Sequence, residues 1–243
     1  MSRRHDIGPK PLHFPVGDPV DPTPARIPDR RGFGGRDVVL RPVDPQRERC
    51  LFAATHGPEL EARVWTYLSY GPFPDQAAFD TWLEERARST EPMFYTVLDR
   101  HAGAPVGLVS FLNIAPLNRT IEMGHIWYVP QHQGGATNTE TAYLMMSEAF
   151  DRCSYRRLEW KCDALNARSR RAALRLGFRF EGIFRQHLIV KGRNRDTAWY
   201  SLLDAEWPQV KRHLEQWLYE TPRDDSGRRV VSLTKLMASR QVP

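Results

Sequence analysis

At 243 residues, 41% of them hydrophobic, the chain holds one sizeable domain with tails, and no apolar run approaches the roughly 18 residues of a membrane span. A net charge of +6, with a pI near 9.4, raises the question of anionic partners. The basic residues are nevertheless dispersed, and the densest cluster (Arg168, Arg170, Arg171, Arg175) falls on one short predicted helix, so a solvated face or a local anion site fits better than a nucleic-acid track.

Residues 1–36 form no domain. Pro9, Pro11, Pro15, Pro19, Pro22, Pro24 and Pro28 interrupt every helical window, because each removes a donor and fixes its own φ. An extended arm is expected, either laid over the domain or disordered. The domain proper, 37–220, opens on a β-branched strand over 38–43, after which Asp44 caps a helix with Pro45 in its first turn. Helices are predicted over about 45–55 and 75–88. The second carries Phe79, Trp82 and Leu83 on one face, and an aromatic-rich connection lies between the two.

Strands over 93–98, 106–111 and 121–129 follow, the first two joined by the turn His101-Ala102-Gly103-Ala104. A helix over 139–153 places Ala142, Met145, Met146, Ala149, Phe150 and Cys153 on one stripe. Leu158, Trp160 and Cys162 alternate with Glu159, Lys161 and Asp163, giving the fifth strand. Asn166 caps a short helix over 167–176, and Gly177 ends it as a left-handed C-cap. Strands over 178–191 and 197–203 enclose the basic turn Gly192-Arg193-Asn194-Arg195. An amphipathic helix with Trp207, Val210, Leu214, Trp217 and Leu218 on one side closes the domain, and the polar tail 221–243 is expected to be loose.

The most informative stretch runs from about 122 to 178. Its polar turn, Gln131-His132-Gln133-Gly134-Gly135-Ala136-Thr137-Asn138, hands the fourth strand to a helix. Small residues there leave backbone N–H groups unpaired at the positive end of the helix dipole, a ready phosphate site. Together with Trp160-Lys161-Cys162-Asp163-Ala164-Leu165-Asn166-Ala167-Arg168-Ser169, Leu176-Gly177-Phe178, Gly192-Arg193-Asn194-Arg195-Asp196-Thr197-Ala198-Trp199 and Tyr67-Leu68-Ser69-Tyr70-Gly71-Pro72-Phe73, this turn resembles the GNAT superfamily of acyl-CoA N-acyltransferases. The likeness is greatest to the RimJ/RimL branch of ribosomal-protein N-terminal acetyltransferases, and it covers about 38–207.

The resemblance implies an α/β fold with a mixed, mostly antiparallel seven-stranded sheet, flanking helices, and fourth and fifth strands that splay apart. It also implies acetyl-CoA as co-substrate, with no metal. The family's phosphate loop fits two registers, 131–136 by its letters and 133–138 by its distance to Thr139 and Glu140. The second is preferred, and it puts Ala136 where glycine is usual. On this likeness Gln133, Gly134, Gly135, Ala136, Thr137, Asn138 and Thr139 hold the phosphates, with Arg171, and Arg168 beside it, as further contacts or as solvated residues. The backbone of Trp127, Tyr128 and Val129 pairs with the pantetheine arm, and Asn166 bonds the same arm while capping its helix.

Amine acylation by a thioester needs a held donor, an amine relieved of its proton, and a stabilised leaving thiolate. The resemblance makes Glu122 the general base, against the alternative of a salt-bridged strand residue. Alternation puts Gly124, Ile126 and Tyr128 on its side and His125 opposite, so His125 serves the acceptor only if a bulge resets the strand. Ser169 would protonate the leaving thiolate or make only a local backbone bond. Trp65, Tyr67, Tyr70 and Phe73 either wall the acceptor pocket or join the core, with Asp196 and Tyr200 as weaker acceptor contacts.

The reading is therefore an N-acyltransferase acting on a primary amine, either a protein N-terminus or a small molecule, with an acetyl or a succinyl donor. Its rivals are a nucleic-acid-binding protein, favoured by the pI, and a non-catalytic acyl-CoA sensor, suggested by Ala136. Cys50, Cys153 and Cys162 show no metal-ligand spacing and read as reduced thiols. Arg3, Arg4 and Lys10 lack the apolar segment of a secretory signal, so a cytoplasmic protein without membrane contact is expected; a homodimer is left open.

Overall fold

A computed structural model describes residues 14–225 and 229–239 of the chain. The expectations for Arg3, Arg4, Pro9, Lys10 and Pro11, and for tail positions 226–228 and 240–243, lie outside the described residues. The strands are β1 (Phe33–Gly34), β2 (Val38–Pro42), β3 (Met93–Asp99), β4 (Pro105–Ala115), β5 (Thr120–Tyr128), β6 (Arg157–Asp163), β7 (Arg179–Val190) and β8 (Arg193–Leu203). They form one sheet in the order β1-β2-β3-β4-β5-β6-β8-β7. Every neighbouring pair is antiparallel except β5 and β6. The eighth strand, beyond the seven expected, is the two-residue β1, which lies within the proline-rich arm and pairs with β2.

Helices cover the sheet: α1 (Pro45–Glu48), α2 (Leu51–Thr55), α3 (Pro58–Trp65), α4 (Gln76–Arg88), α5 (Ala136–Ser147), α6 (Ala167–Arg175), α7 (Trp207–Glu215) and α8 (Leu233–Ala238). The helix expected over 45–55 is broken into α1 and α2, and α3 was not foreseen. Its signal was Gly57 before Pro58 with Glu59 and Glu61 in the first turn; Gly57 adopts φ +128 there, outside the range of other residues. β3 explains why both faces need covering, since Met93 to Val97 are all buried. Phe94 meets Trp82 of α4, with ring centroids 6.2 Å apart, while Tyr95 on the other face donates to Asp29 O of the arm (3.0 Å). Burying Phe79, Trp82 and Leu83 along α4 stabilises this layer by about 1.5–3 kcal/mol per side chain, an upper estimate.

Of the two alternatives for the arm, its described part takes the first and lies over the domain. Ala25 N donates to Pro116 O (3.0 Å), Arg26 N to Cys153 O (2.9 Å), and Arg31 pairs with buried Glu148 (2.8 Å). Buried Glu140 collects the N–H groups of Arg36 (2.8 Å) and Asp37 (2.7 Å). The tail departs from the loose segment expected: α8 buries Leu233 and Met237, and Trp217 Nε1 donates to Val231 O (3.0 Å). Leu233 and Met237 stand one helical turn apart and so share the face that packs on the domain.

Candidate active site

β5 and β6 pair only from Thr120 to Glu122 against Arg157 to Glu159 and then diverge. The divergence opens a cleft of about 1570 Å³ whose two arms are β5 and β6, with α6 and the start of α5 at one end and β7 and β8 at the other. From Met123 onward the β6-facing edge of β5 has no ladder partner among the described residues. Gln133 Nε2 donates to one of its carbonyls, Tyr128 O (3.0 Å).

A bulge in β5 corrects the expected alternation. Leu108 opposes Trp127 and Ser110 opposes Gly124, so His125 and Ile126 together face Val109 alone. His125 takes φ +53 to make the bulge, a region that histidine visits more readily than branched residues do. Beyond it Trp127, not Tyr128, shares the face of Glu122. The bulge brings His125 to the cleft lining, against Tyr70 (5.5 Å) and Phe94 (5.0 Å). Burial, helped by Arg86 and Arg195, depresses its pKa to about 4, so the ring is neutral.

At the helix end of the cleft, α5 begins at Ala136, three residues earlier than expected. Its N-cap, Gly135, contributes no side-chain bond, so the first-turn N–H groups of Ala136, Thr137 and Asn138 are unpaired among the described residues. The position that demands glycine is Gly134, at φ +74. Ala136 is helical with negative φ, so its methyl group is no obstacle. Thr137 Oγ1 contacts His132 (3.3 Å) and Asn138 Oδ1 accepts from Tyr128 (3.1 Å), so these side-chain oxygens are engaged internally. Thr139 does not reach the cleft; it is fully buried and accepts from Arg175 (2.7 Å). Val129 also turns away, its N–H donating to Val106 O (2.8 Å). Gln133, Gly134, Gly135, Trp127 and Tyr128 border the cleft.

Asn166 caps α6 by accepting from Ser169 N (3.1 Å), and Ser169 Oγ accepts from Trp160 Nε1 (2.9 Å); both residues border the cleft. Arg168 and Arg171 project into it from the exposed face of α6 without an ion pair among the described residues. Arg175, the last member of the basic cluster read as a solvated face or a local anion site, borders the cleft too. Burial lowers its pKa, and its contacts are Thr139 and the Trp217 ring, with no carboxylate among the described residues.

Where the strands part, Glu122 is 5% exposed, accepts from Asn113 Nδ2 (2.6 Å) and pairs with Lys161 Nζ (2.8 Å). Lys161 also binds Glu159 (2.9 Å) and lies 3.8 Å from the Trp199 ring centroid. Burial raises the Glu122 pKa above the ordinary carboxylate value, while Lys161 and Asn113 restrain the rise. Lys161 and Asn113 escaped the sequence reading because alternation marks Lys161 only as outward, and the parallel pairing that turns it toward Glu122 is long-range.

Of the four candidate aromatics only Tyr67 borders the cleft, its hydroxyl donating to Leu165 O (3.3 Å). Trp65 is fully buried and donates to Thr55 O (3.0 Å), and Phe73 packs on Trp65 (5.5 Å). Tyr70 backs His125 from beneath the lining. Tyr200 is buried on the other face of β8 and accepts from Arg170 (3.1 Å), so its neighbour Trp199 faces the cleft instead. Asp196 binds Gln186 N (2.7 Å) and Asn194 (3.0 Å) and does not line the cleft.

Comparison with known proteins matches residues 37–179 to the family described as Acetyltransferase (GNAT) domain. The fold superposes on a GCN5-related N-acetyltransferase from Brucella melitensis with TM-score 0.85 and 42% identity, covering 89% of this chain and 98% of that one. A ribosomal-protein-serine acetyltransferase from Escherichia coli (strain K12) is 30% identical over 102 residues, which are 42% of this chain and 56% of that protein. The chain thus spans little more than half the length of that curated relative. A Salmonella typhimurium acetyl transferase described as modifying the N-terminal serine of 50S ribosomal subunit protein L7/L12 shares the fold at TM-score 0.60 and 20% identity, covering 70% of this chain and 96% of that one.

Proposed function

The chain belongs to the GNAT acetyltransferase family, and from that premise we propose that it transfers acetyl from acetyl-CoA to a primary amine by direct attack. The observation that carries this reading is the parting of β5 and β6 beside the unpaired amides of α5. Those amides and Arg171 suit pyrophosphate oxygens, with Arg175 as an additional cation. The free edge of β5 suits an extended amide-bearing arm, and Asn166 is within the same cleft.

Glu122, buried and restrained by Lys161, serves as the base that takes the amine proton directly or through one water. The Ser169 hydroxyl accepts from Trp160 and lies beside the Cys162 thiol, and its proton serves the departing thiolate. His125 contributes shape rather than proton transfer. The acceptor is a protein N-terminus by analogy with the relatives' ribosomal substrates, or a small amine held in the same place. A cytoplasmic location follows from that analogy. None of the helices among the described residues is long and apolar enough to cross a membrane.

Calorimetry with acetyl-CoA on the native chain and on Asn166→Ala tests the donor site, with release of free CoA followed over a panel of amines. Micromolar binding that weakens in the variant, with release accelerated by one amine class, is the expected outcome. No binding of acetyl-, succinyl- or free CoA would overturn the reading.

A further inference from the structure

The segment expected as a basic turn is strand from Arg193 onward, and it supplies a residue that the chemistry above does not use. Arg195 stands near the start of β8, paired in register with Leu188 of β7. Alternation sets Arg195, Thr197 and Trp199 on one face, and the β6 register places Asp163 opposite Thr197 and Lys161 opposite Trp199. All of these border the cleft.

The charges at this end are not equally satisfied. Lys161 is neutralised by Glu122 and Glu159, and Lys191 donates to Trp65 O (2.8 Å). Asp163 accepts from Leu165 N (2.8 Å), and Asp196 is engaged as described above. Arg195 has no carboxylate within ion-pair distance among the described residues, and its Nε is buried without an acceptor. Trp199 Nε1, two residues along the same face, is buried and unpartnered as well. A cleft-lining guanidinium without an ion pair is the usual complement of a carboxylate. Arg195 borders the cleft together with His125 of β5 and Cys162 of β6, and its charge acts to lower the pKa of both.

We propose that the guanidinium of Arg195, beside the Trp199 ring, forms a carboxylate-binding subsite in the cleft, so that the preferred co-substrate carries a carboxylate close to its reacting end. This deepens, and rests on, the acyl-transfer reading. The carboxylate belongs either to the acyl chain of a dicarboxylic monothioester such as succinyl-CoA or to the acceptor, beside its amine. The chemistry recognised is the same in both cases. An unneutralised cation here also disfavours an acceptor whose only charge is its ammonium.

The test compares matched pairs on the native full-length chain and on Arg195→Gln, Arg195→Lys and Trp199→Phe. One pair is succinyl-CoA against acetyl-CoA with a peptide beginning Ser-Ala. The other is a peptide beginning Ser-Glu against one beginning Ser-Gln, both with acetyl-CoA. The native chain should favour the carboxylate-bearing member of one pair, and which pair responds identifies the source. Arg195→Gln should lower kcat/KM about 10- to 100-fold for that member alone, with Arg195→Lys recovering part of the loss and Trp199→Phe keeping the preference. No preference in either pair, or an equal slowing of all four reactions by Arg195→Gln, would overturn the subsite. If nothing turns over, the transfer reading fails by itself. Calorimetry then decides the subsite: loss of affinity in Arg195→Gln for succinyl-CoA but not acetyl-CoA, or for the Ser-Glu but not the Ser-Gln peptide, keeps it, and equal effects within both pairs remove it.

Discussion

Glu122 and Lys161 face each other across the point where two parallel strands stop pairing, with Nζ 2.8 Å from Oε2. Glu122 is the last β5 residue in register with β6, and Lys161 lies two residues beyond its partner Glu159. The contact spans the opening of the splay and couples the charge of the candidate base to the second arm. Asn113 Nδ2 donates to the same oxygen at 2.6 Å.

Removing the base should be severe. Glu122→Gln keeps the shape and the Asn113 contact region, so kcat should fall about 10²- to 10⁴-fold while acetyl-CoA affinity by calorimetry stays within twofold. Retained turnover in Glu122→Gln would remove the residue from the reaction.

Lys161 holds the Glu122 pKa down against the burial that raises it. Activity that needs the carboxylate ionised rises with pH through that pKa. Lys161→Met should therefore move the acidic limb of the kcat/KM profile to higher pH, leaving the plateau less affected than Glu122→Gln does. A limb that stays put or moves down would show that the cation does not act through Glu122.

His125 is neutral, with a pKa near 4 against an ordinary 6.5, because its ring is enclosed by Tyr70 and Phe94. A depressed pKa means that protonation favours the unfolded chain. The stabilisation is full above about pH 6.5 and is lost as pH falls toward 4, on the order of 3 kcal/mol at most. Urea unfolding should show His125→Phe losing less stability than the native chain between pH 7 and pH 5. Parallel losses would show that another group carries the acid sensitivity.

The C-terminal helix should matter to the donor site as well as to stability. Leu233 is 2% exposed, and Thr234 next to it borders the cleft. Leu233→Ala should cost about 2–5 kcal/mol by chemical denaturation, with weaker acetyl-CoA binding than in the native chain. An unchanged midpoint would mean that α8 does not dock in solution.

The donor end of the cleft was legible because its signals are local. A glycine at φ +74 before a helix, an asparagine cap three residues from Ser169, and the alternation of Leu158, Trp160 and Cys162 all sit within one turn or one strand. The buried stripe of α5 was readable for the same reason. Resemblance to a family then supplied the topology that these elements share.

The acceptor end was decided by tertiary structure. The bulge at His125 reverses which of Trp127 and Tyr128 accompanies Glu122, because one extra residue inverts a period of two. Trp65 and Phe73 belong to the core, while Trp199 replaces Tyr200 at the cleft; composition does not distinguish an aromatic wall from an aromatic core. Lys161 and Arg195 look alike in sequence, as basic residues on strands. Only the pairing of β5 with β6 and of β6 with β8 leaves the first charge neutralised and the second without a partner among the described residues, since ion pairs between distant segments depend on register rather than on spacing along the chain.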